Sequence, residues 1–396
     1  MKNRFLYNSV FYTFDGTNLL LDLEKLYKDT ITSYIIDESF NYDSIDAKKR
    51  NFLVVNWCRF FSECYDGSIS KKGYAKEGFL FTKKFFDIAS ILSSKGFYFV
   101  VDHVMEADTY ITPELVFFLE KLKEVEIGAD KFIWVYNNSS ELKGGVVKVR
   151  DFELKTLHFP HFFISTLFEL PEPTETHFEK EKDFLILNRR FTLGKYKLLK
   201  RLKDRGLLDK AIYTILSIHS ELDGINEFEP ISLKDDIASV KDVLKDDEYL
   251  YRLNTESFFK TKVNVVAETF LEQRERERYD DIVHITEKTW KPIYIGVPFV
   301  ISATNKHIES LHQFGFKTFN SVINEDYDLE EDIDVKLDKI IDSAIHLAEQ
   351  YNTKEVLDII EYNKNLFKDI EHKKQIVEKL FLKPFENLFK IQNKII

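Results

Sequence analysis

Short apolar runs alternate with stretches of helical spacing along this chain, and this alternation constrains the fold more than any other feature. Apolar runs typical of buried strands cover residues 51–57, 97–101, 131–136, 183–187, 211–216, 262–267 and 297–301. Helical patterns cover residues 80–92, 113–125, 195–205, 233–251, 286–295, 305–314 and 336–351. Because strands that alternate with helices form parallel sheets from strand–helix–strand units, the pattern predicts an α/β fold.

A proline-containing acidic stretch interrupts the alternation near the middle of the chain. Residues 169–176 carry Pro171, Pro173 and several carboxylates but few apolar side chains, a composition typical of an interdomain linker. We therefore predict four parts along the chain. They are an N-terminal α/β domain over 1–170, a linker over 171–182, a C-terminal α/β domain over 183–375 and a closing helix over 376–396.

The charge balance and composition exclude several classes of protein. The 396 residues include 56 Lys and Arg against 67 Asp and Glu, a net charge of −11. This balance argues against a protein that coats nucleic acid, since phosphate binding depends on clustered cations. Two cysteines, Cys58 and Cys64, are too few for a disulfide framework, and no apolar run reaches the roughly 18 residues of a membrane helix. We expect a cytoplasmic protein that is not integral to a membrane.

The segment Ile285–Pro292 is the best candidate for a phosphate site, because the chain has neither a G-x-G-x-x-G nor a Walker loop. Thr286 is a good N-cap residue, and the start of the helix that it precedes offers N–H donors and a positive dipole end to an anion. Lys288 adds a full positive charge there, and the Glu287 carboxylate suits a sugar diol. The alternative is a capped surface helix with an ion-pairing Glu and Lys.

Residues 265–269, 281–288 and 295–300 together resemble the donor-binding segment of fucosyltransferase-like glycosyltransferases. The shared pattern is a strand, a Glu, a loop, T-E-K, a helix, Gly and a Pro-containing strand. Similar T-E-K-T segments occur in glycosyltransferase-like proteins of large phages. The resemblance implies that Lys288 holds the donor diphosphate, that Glu287 contacts the nucleotide ribose, and that Glu268 and Thr286 lie near the donor.

A second match lies upstream, where the strand over 183–187 ends in Asn188, Arg189 and Arg190, and Lys195 starts a helix. The family usually has Arg at the position of Lys195, where it supports the diphosphate. Lysine keeps the charge but loses the bidentate geometry, which Arg189 or Arg190 would restore. The alternative is that these cations are simply solvated. The resemblance covers residues 183–301.

The resemblance implies the GT-B arrangement, with two Rossmann-like domains facing a cleft and C-terminal closing helices. The donor would be a nucleotide-diphosphate sugar, with no further cofactor. We also expect no metal. The pair His158 and His161 lacks a third ligand, and the D-x-D of residues 332–334 lies beyond the donor segment.

The general base is predicted at the end of the strand that contains Val100 and Val101. Ligands of open α/β sheets gather at the carboxyl ends of strands, where Asp102 and Glu106 lie. Fucosyltransferase-like enzymes use a Glu of the N-terminal domain, so Glu106 is the first candidate for the catalytic residue and Asp102 the second. Alternatively, Asp102 is a loop residue and Glu106 is solvated.

These expectations define a glycosyltransferase that moves a sugar from a nucleotide-diphosphate donor to a hydroxyl acceptor, with inversion and without a metal. A variant of this hypothesis is a phage-type glycosyltransferase that acts on a hydroxymethylated DNA base, against which the net charge of −11 counts. The rival from another class is a non-catalytic binding or scaffold protein that retains the fold. The sequence leaves the donor nucleotide, the acceptor (a glycan or DNA) and the oligomeric state open.

Overall fold

The computed structural model describes most of the chain, and the rest of the account concerns these residues. They are residues 4–13, 17–28, 30–36, 40–46, 48–56, 83–103, 113–137, 145–149, 151–173, 178–218, 222, 227–230, 255–269, 271 and 283–392. Glu106, Cys58, Cys64, the predicted helix over 233–251 and the charged loop 272–278 lie outside them, as does the side chain of Arg190.

Strands and helices alternate through the described residues. The strands are β1 Ser9–Thr13, β2 Ser33–Ile35, β3 Arg50–Asn56, β4 Tyr98–His103, β5 Phe132–Tyr136, β6 Gly145–Val149, β7 Phe152–His158, β8 Lys182–Ile186, β9 Arg190–Phe191, β10 Ala211–Tyr213, β11 Ser217–Ile218, β12 Thr261–Ala267 and β13 Phe299–Ser302. The helices are α1 Arg4–Tyr7, α2 Asn18–Tyr27, α3 Lys83–Ser94, α4 Pro113–Glu124, α5 His161–Glu169, α6 Leu193–Asp204, α7 Thr255–Lys260, α8 Glu287–Ile295, α9 His307–Gln313, α10 Ile333–Gln350, α11 Lys354–Lys368, α12 Ile370–Val377 and α13 Lys383–Gln392.

The chain divides into two compact units. Unit 1 comprises Met1–His161 and Lys373–Ile396, and unit 2 comprises Phe162–His372. Pro171 and Glu172, in the stretch that the sequence predicted as a linker, lie within unit 2 and contact its helices α8 and α11. The Pro171 carbonyl accepts a hydrogen bond from the Tyr294 hydroxyl at 3.4 Å, and Lys368 pairs with Glu172 at 2.9 Å.

Unit 1 is built on a seven-stranded sheet in the order β2-β1-β3-β4-β5-β7-β6. Every pairing is parallel except that of β6 with β7. Phe99 of β4 stacks on Phe132 of β5 with 4.9 Å between ring centroids. The C-terminal segment completes this core, since Phe385 lies 5.0 Å from Phe52. Phe385, in α13, is therefore part of the packing of unit 1.

Unit 2 is built on a four-stranded parallel sheet in the order β10-β8-β12-β13, beside a short parallel pair of β11 and β9. The predicted α/β fold with two parallel sheets is confirmed. The strand predicted from residue 297 starts at Phe299, because the N–H groups of Gly296 and Val297 donate to the Pro292 carbonyl and close α8. Gly296 has a φ of 84°, which favours glycine there.

No helix among the described residues is both long and apolar enough to span a lipid bilayer.

Candidate functional site

Polar residues of unit 2 follow three neighbouring parallel strands. Asn188 comes just after β8, Glu268 directly after β12, and Thr304 and His307 shortly after β13. Because β8, β12 and β13 are adjacent in the sheet and run parallel, their carboxyl ends share one edge. Open α/β sheets bind their ligands at this edge.

Glu268 fixes the T-E-K turn, which comprises residues Thr286–Lys288. The Glu268 carboxylate accepts hydrogen bonds from the Thr286 N–H at 3.1 Å, the Thr286 hydroxyl at 2.7 Å and the Thr289 hydroxyl at 2.7 Å. Thr286 in turn caps α8, since its hydroxyl oxygen accepts from the Lys288 N–H at 3.3 Å. Glu268 therefore lies near the predicted donor segment as a support for the turn.

The charge on Glu268 is stabilised although only 2% of the residue is exposed. Burial by itself raises the pKa of this carboxyl. The charges of Lys288 and His307 and the hydrogen bonds from Thr286 and Thr289 outweigh that effect, so its pKa lies below the usual value. The turn is thus held by an ionised acceptor, which makes stronger hydrogen bonds than a neutral one.

Lys288 holds its ammonium group over the turn. Its Nζ lies 3.1 Å from the Thr286 hydroxyl, 3.2 Å from the Thr269 hydroxyl, 3.7 Å from Glu268 and 3.8 Å from Glu287. The Lys288 side chain is 22% exposed, whereas Glu287 is buried. A buried Glu287 does not fit the alternative of a solvated ion pair on a surface helix.

The strand–turn–helix junction from β8 to α6 carries the second predicted donor segment. It contains a buried side-chain amide with no hydrogen-bond partner among the described residues. The Asn188 N–H donates to the Thr214 hydroxyl at 2.9 Å, and the Asn188 carbonyl accepts from the Leu216 N–H at 3.2 Å. The side-chain oxygen and nitrogen of Asn188 are fully buried and have no hydrogen-bond partner among the described residues. Buried polar atoms are nearly always paired, so an orphaned amide next to a predicted ligand site calls for an explanation.

The cations of this junction differ in their surroundings. Lys195 is buried in the first turn of α6, which does not fit the alternative of a solvated charge. Arg189 is half-buried, and the backbone of Arg190 begins β9. Thr192, the N-cap residue of α6, makes no side-chain capping bond.

The two strand–turn–helix junctions, one from β12 through the T-E-K turn to α8 and the other from β8 to α6, lie against each other. A Cβ atom placed on Gly194 of α6 would come within 2.9 Å of both the Cβ and the Cδ2 of Leu271. Leu271 follows Thr269, which contacts Lys288. The start of α6 and the loop that carries Thr269 therefore lie close together, beside the T-E-K turn.

In unit 1, the Asp102 side chain lies near the start of α2. It is buried at the end of β4, and its Oδ2 accepts a hydrogen bond from the Leu19 N–H at 2.9 Å. Leu19 lies in the first turn of α2, behind the N-cap residue Thr17. Asp102 thus serves as a second cap for this helix. Glu106, the first candidate for the base, lies outside the described residues.

The described residues contain no group of three or more His, Cys, Asp or Glu placed to hold a metal ion. His161 pairs with Asp22 at 2.7 Å, while burial lowers the pKa of His158 to about 3. In the D-x-D segment, Asp332 caps α10 and Asp334 pairs with Arg201 at 2.6 Å. His161, Asp332 and Asp334 thus each make a structural contact.

Sequence reasoning missed two residues of this region, Thr289 and His307. Thr289 belongs to the quoted T-E-K-T segment, but only the fold shows that its hydroxyl meets Glu268. His307 follows β13 in a stretch with no motif, and nothing in the local sequence marks it.

No known protein family and no curated protein sequence matches the chain. Among solved structures, it is similar to the DNA-modifying enzyme β-glucosyltransferase studied with and without uridine diphosphoglucose, at 11% identity and a TM-score of 0.41 over 94% of this chain and 99% of that one. T4 phage BGT in complex with UDP and Mn²⁺ matches at 11% identity and a TM-score of 0.40, over 94% and 99% of the two chains. A structure described as trehalose-6-phosphate from E. coli bound with UDP-2-fluoro glucose matches at 12% identity and a TM-score of 0.33, over 94% and 98%. At such values neither fold nor activity passes from these proteins to this chain.

Proposed function

We propose that the chain is a glycosyltransferase of GT-B type that moves a sugar from a nucleotide-diphosphate donor to a hydroxyl acceptor. The observation that carries the proposal is the meeting of two strand–turn–helix junctions at one sheet edge, through Gly194 and Leu271. One junction carries Lys288 and the other carries Lys195. Each lysine lies in the first turn of a helix, where the dipole end is positive.

The chemistry needs these groups when the donor bond breaks. The acceptor oxygen attacks the anomeric carbon, the bond from that carbon to the diphosphate oxygen breaks, and the diphosphate leaves with the electron pair. Lys288 and Lys195 would stabilise the departing diphosphate, and α8 and α6 would add the partial charges of their first N–H groups. Glu287 would accept hydrogen bonds from the ribose diol.

The orphaned amide of Asn188 supports the same assignment. A buried amide with one donor and one acceptor side left open costs free energy in the unliganded protein. A donor molecule that pairs with it would recover that cost on binding.

The acceptor proton requires a general base. We keep Glu106 as the first candidate for this catalytic residue and Asp102 as the second. The Leu19 N–H already bonds Asp102, and deprotonating an acceptor would need this buried carboxylate to reach it with the other oxygen. This contact favours Glu106 over Asp102.

The proposal is tested by calorimetric titration of the protein with UDP, GDP, ADP and CDP. Replacing Lys288 by Ala removes one charge-assisted contact to the diphosphate, so we expect affinity for the preferred nucleotide to fall by about 10- to 100-fold. Lys354→Ala is the matched control. Lys354 lies in the first turn of α11 in the same unit and pairs with Asp358 at 2.7 Å. Equal affinity in wild type and Lys288→Ala would refute the donor site.

Transfer assays then separate the acceptor classes. A labelled nucleotide sugar is offered with glycan acceptors and, separately, with hydroxymethylated duplex DNA. Donor binding with turnover on either acceptor supports an enzyme and assigns its class. Donor binding with neither sugar transfer nor slow donor hydrolysis would favour the non-catalytic scaffold.

A further inference from the structure

A buried histidine lies beside the T-E-K turn with a carbonyl oxygen at each ring nitrogen. His307 is 1% exposed and is the first residue of α9. Its Nδ1 lies 2.9 Å from the Thr304 carbonyl oxygen, and its Nε2 lies 3.3 Å from the His284 carbonyl oxygen. The second contact joins His307 to the segment that leads into Thr286.

The two contacts place His307 between two segments of unit 2. Thr304 lies just after β13, and His284 lies two residues before Thr286, so the ring joins these segments.

The first turn of α9 is held as well. The Asp328 carboxylate accepts hydrogen bonds from the N–H groups of His307 at 3.0 Å and Ile308 at 3.1 Å. Burial raises the pKa of Asp328 above its usual value, although the charges of His307 and Lys336 and the hydrogen bonds oppose this shift. These contacts fix the backbone that carries the His307 ring.

The backbone before His307 is held in an uncommon conformation. Lys306 has a φ of 69°, in the left-handed region that side chains other than glycine seldom adopt. Its N–H donates to the Asp328 carbonyl at 3.2 Å, which supports this conformation. Such local strain persists where the surrounding contacts fix a side chain in place.

We propose that His307 is a positioning residue for the T-E-K turn. Through its Nε2 it holds the His284 carbonyl, so that Thr286 and Lys288 keep the geometry that a diphosphate needs. The effect on nucleotide binding rests on the proposed function, whereas the hold on the turn does not.

The experiment measures nucleoside diphosphate affinity and hydrogen exchange of the Thr286 amide in His307→Gln. We expect affinity to fall about five- to tenfold and the amide to exchange faster, since the His284 carbonyl loses its contact with the ring. His312→Gln is the matched control, because His312 lies on the same helix and bonds the Thr318 hydroxyl. It should behave like the wild type in both measurements.

The outcomes separate the two proposals. Unchanged exchange at Thr286 in His307→Gln contradicts the positioning role. A wild type that binds none of the nucleoside diphosphates overturns the proposed function alone, while the exchange at Thr286 still decides the role of His307.

Discussion

At the residue scale, single buried polar groups decide the geometry of the candidate site. Glu268 accepts three hydrogen bonds from the turn that carries Lys288. Its pKa lies below the usual value, so its stabilising effect is full above the unfolded-state pKa and is lost as the pH falls through the folded-state pKa. Glu268 therefore stabilises the turn fully at neutral pH.

Asn188 gives the clearest residue-scale prediction, because its amide is buried and unpaired. Replacing it by Leu, which has a similar shape, removes an unsatisfied polar group. We expect stability to stay the same or rise by about 1 kcal/mol, while nucleoside diphosphate affinity falls, since the ligand loses its partner. Urea unfolding and calorimetry measure the two effects.

Asn264→Leu is the control for this prediction. Asn264 is buried in β12 of the same sheet, but its Nδ2 donates to the Leu185 carbonyl at 3.3 Å. Losing that partnered amide should destabilise the protein. If Asn188→Leu is destabilised as strongly as Asn264→Leu, the Asn188 amide is paired and the prediction is wrong.

At the element scale, the contact between the start of α6 and the loop after β12 sets the spacing of the two junctions. Gly194 leaves room for the Leu271 side chain. Even the single methyl group of an alanine at position 194 would be crowded against Leu271. The glycine is therefore needed for a close approach of two elements.

Gly194→Ala should destabilise the protein by about 1–3 kcal/mol, because its Cβ would overlap the Leu271 side chain. Leu271→Ala in the same chain should relieve that overlap, so the double mutant should be more stable than the sum of the single effects predicts. Urea unfolding of the four proteins in the cycle measures the coupling. Additive effects would show that α6 and the loop do not press on each other.

At the scale of the whole molecule, unit 1 is assembled from two separate stretches of chain. The C-terminal stretch brings Phe381 to 5.1 Å from Phe159 and Phe385 to 5.0 Å from Phe52. It also buries Lys373, whose pKa burial lowers well below its usual value although Asp22 opposes the shift. The core of unit 1 is therefore incomplete without the C-terminal stretch that contains Lys373, Phe381 and Phe385.

A chain ending at His372 should therefore lose unit 1 first. Each buried Phe contributes on the order of 3–5 kcal/mol, so the sheet β1–β7 should lose protection against hydrogen exchange. Unit 2 keeps all of its own residues, Phe162–His372, and its strands should stay protected. Equal protection of the unit 1 strands in the truncated and full-length chains would contradict this prediction.

The sequence alone determined the elements and their class. Alternating strand and helix periodicity predicted the parallel sheets, and Thr286 and Gly296 predicted the ends of α8, because caps and periodicity are local properties of the chain. The short strands β1 and β2 and the helix α5 were not predicted. Strands of five and three residues carry little periodicity, and α5 spans only nine residues.

Only the tertiary structure decided what the polar residues do. Glu268 meets Thr286, and His307 meets His284, because β12 and β13 are neighbours whose carboxyl ends share one edge. Whether Asn188 is paired and whether Lys195 is solvated depend on burial by distant elements. Local patterns encode helices, strands and their caps, whereas hydrogen-bond partners and burial arise from contacts between residues far apart in the chain.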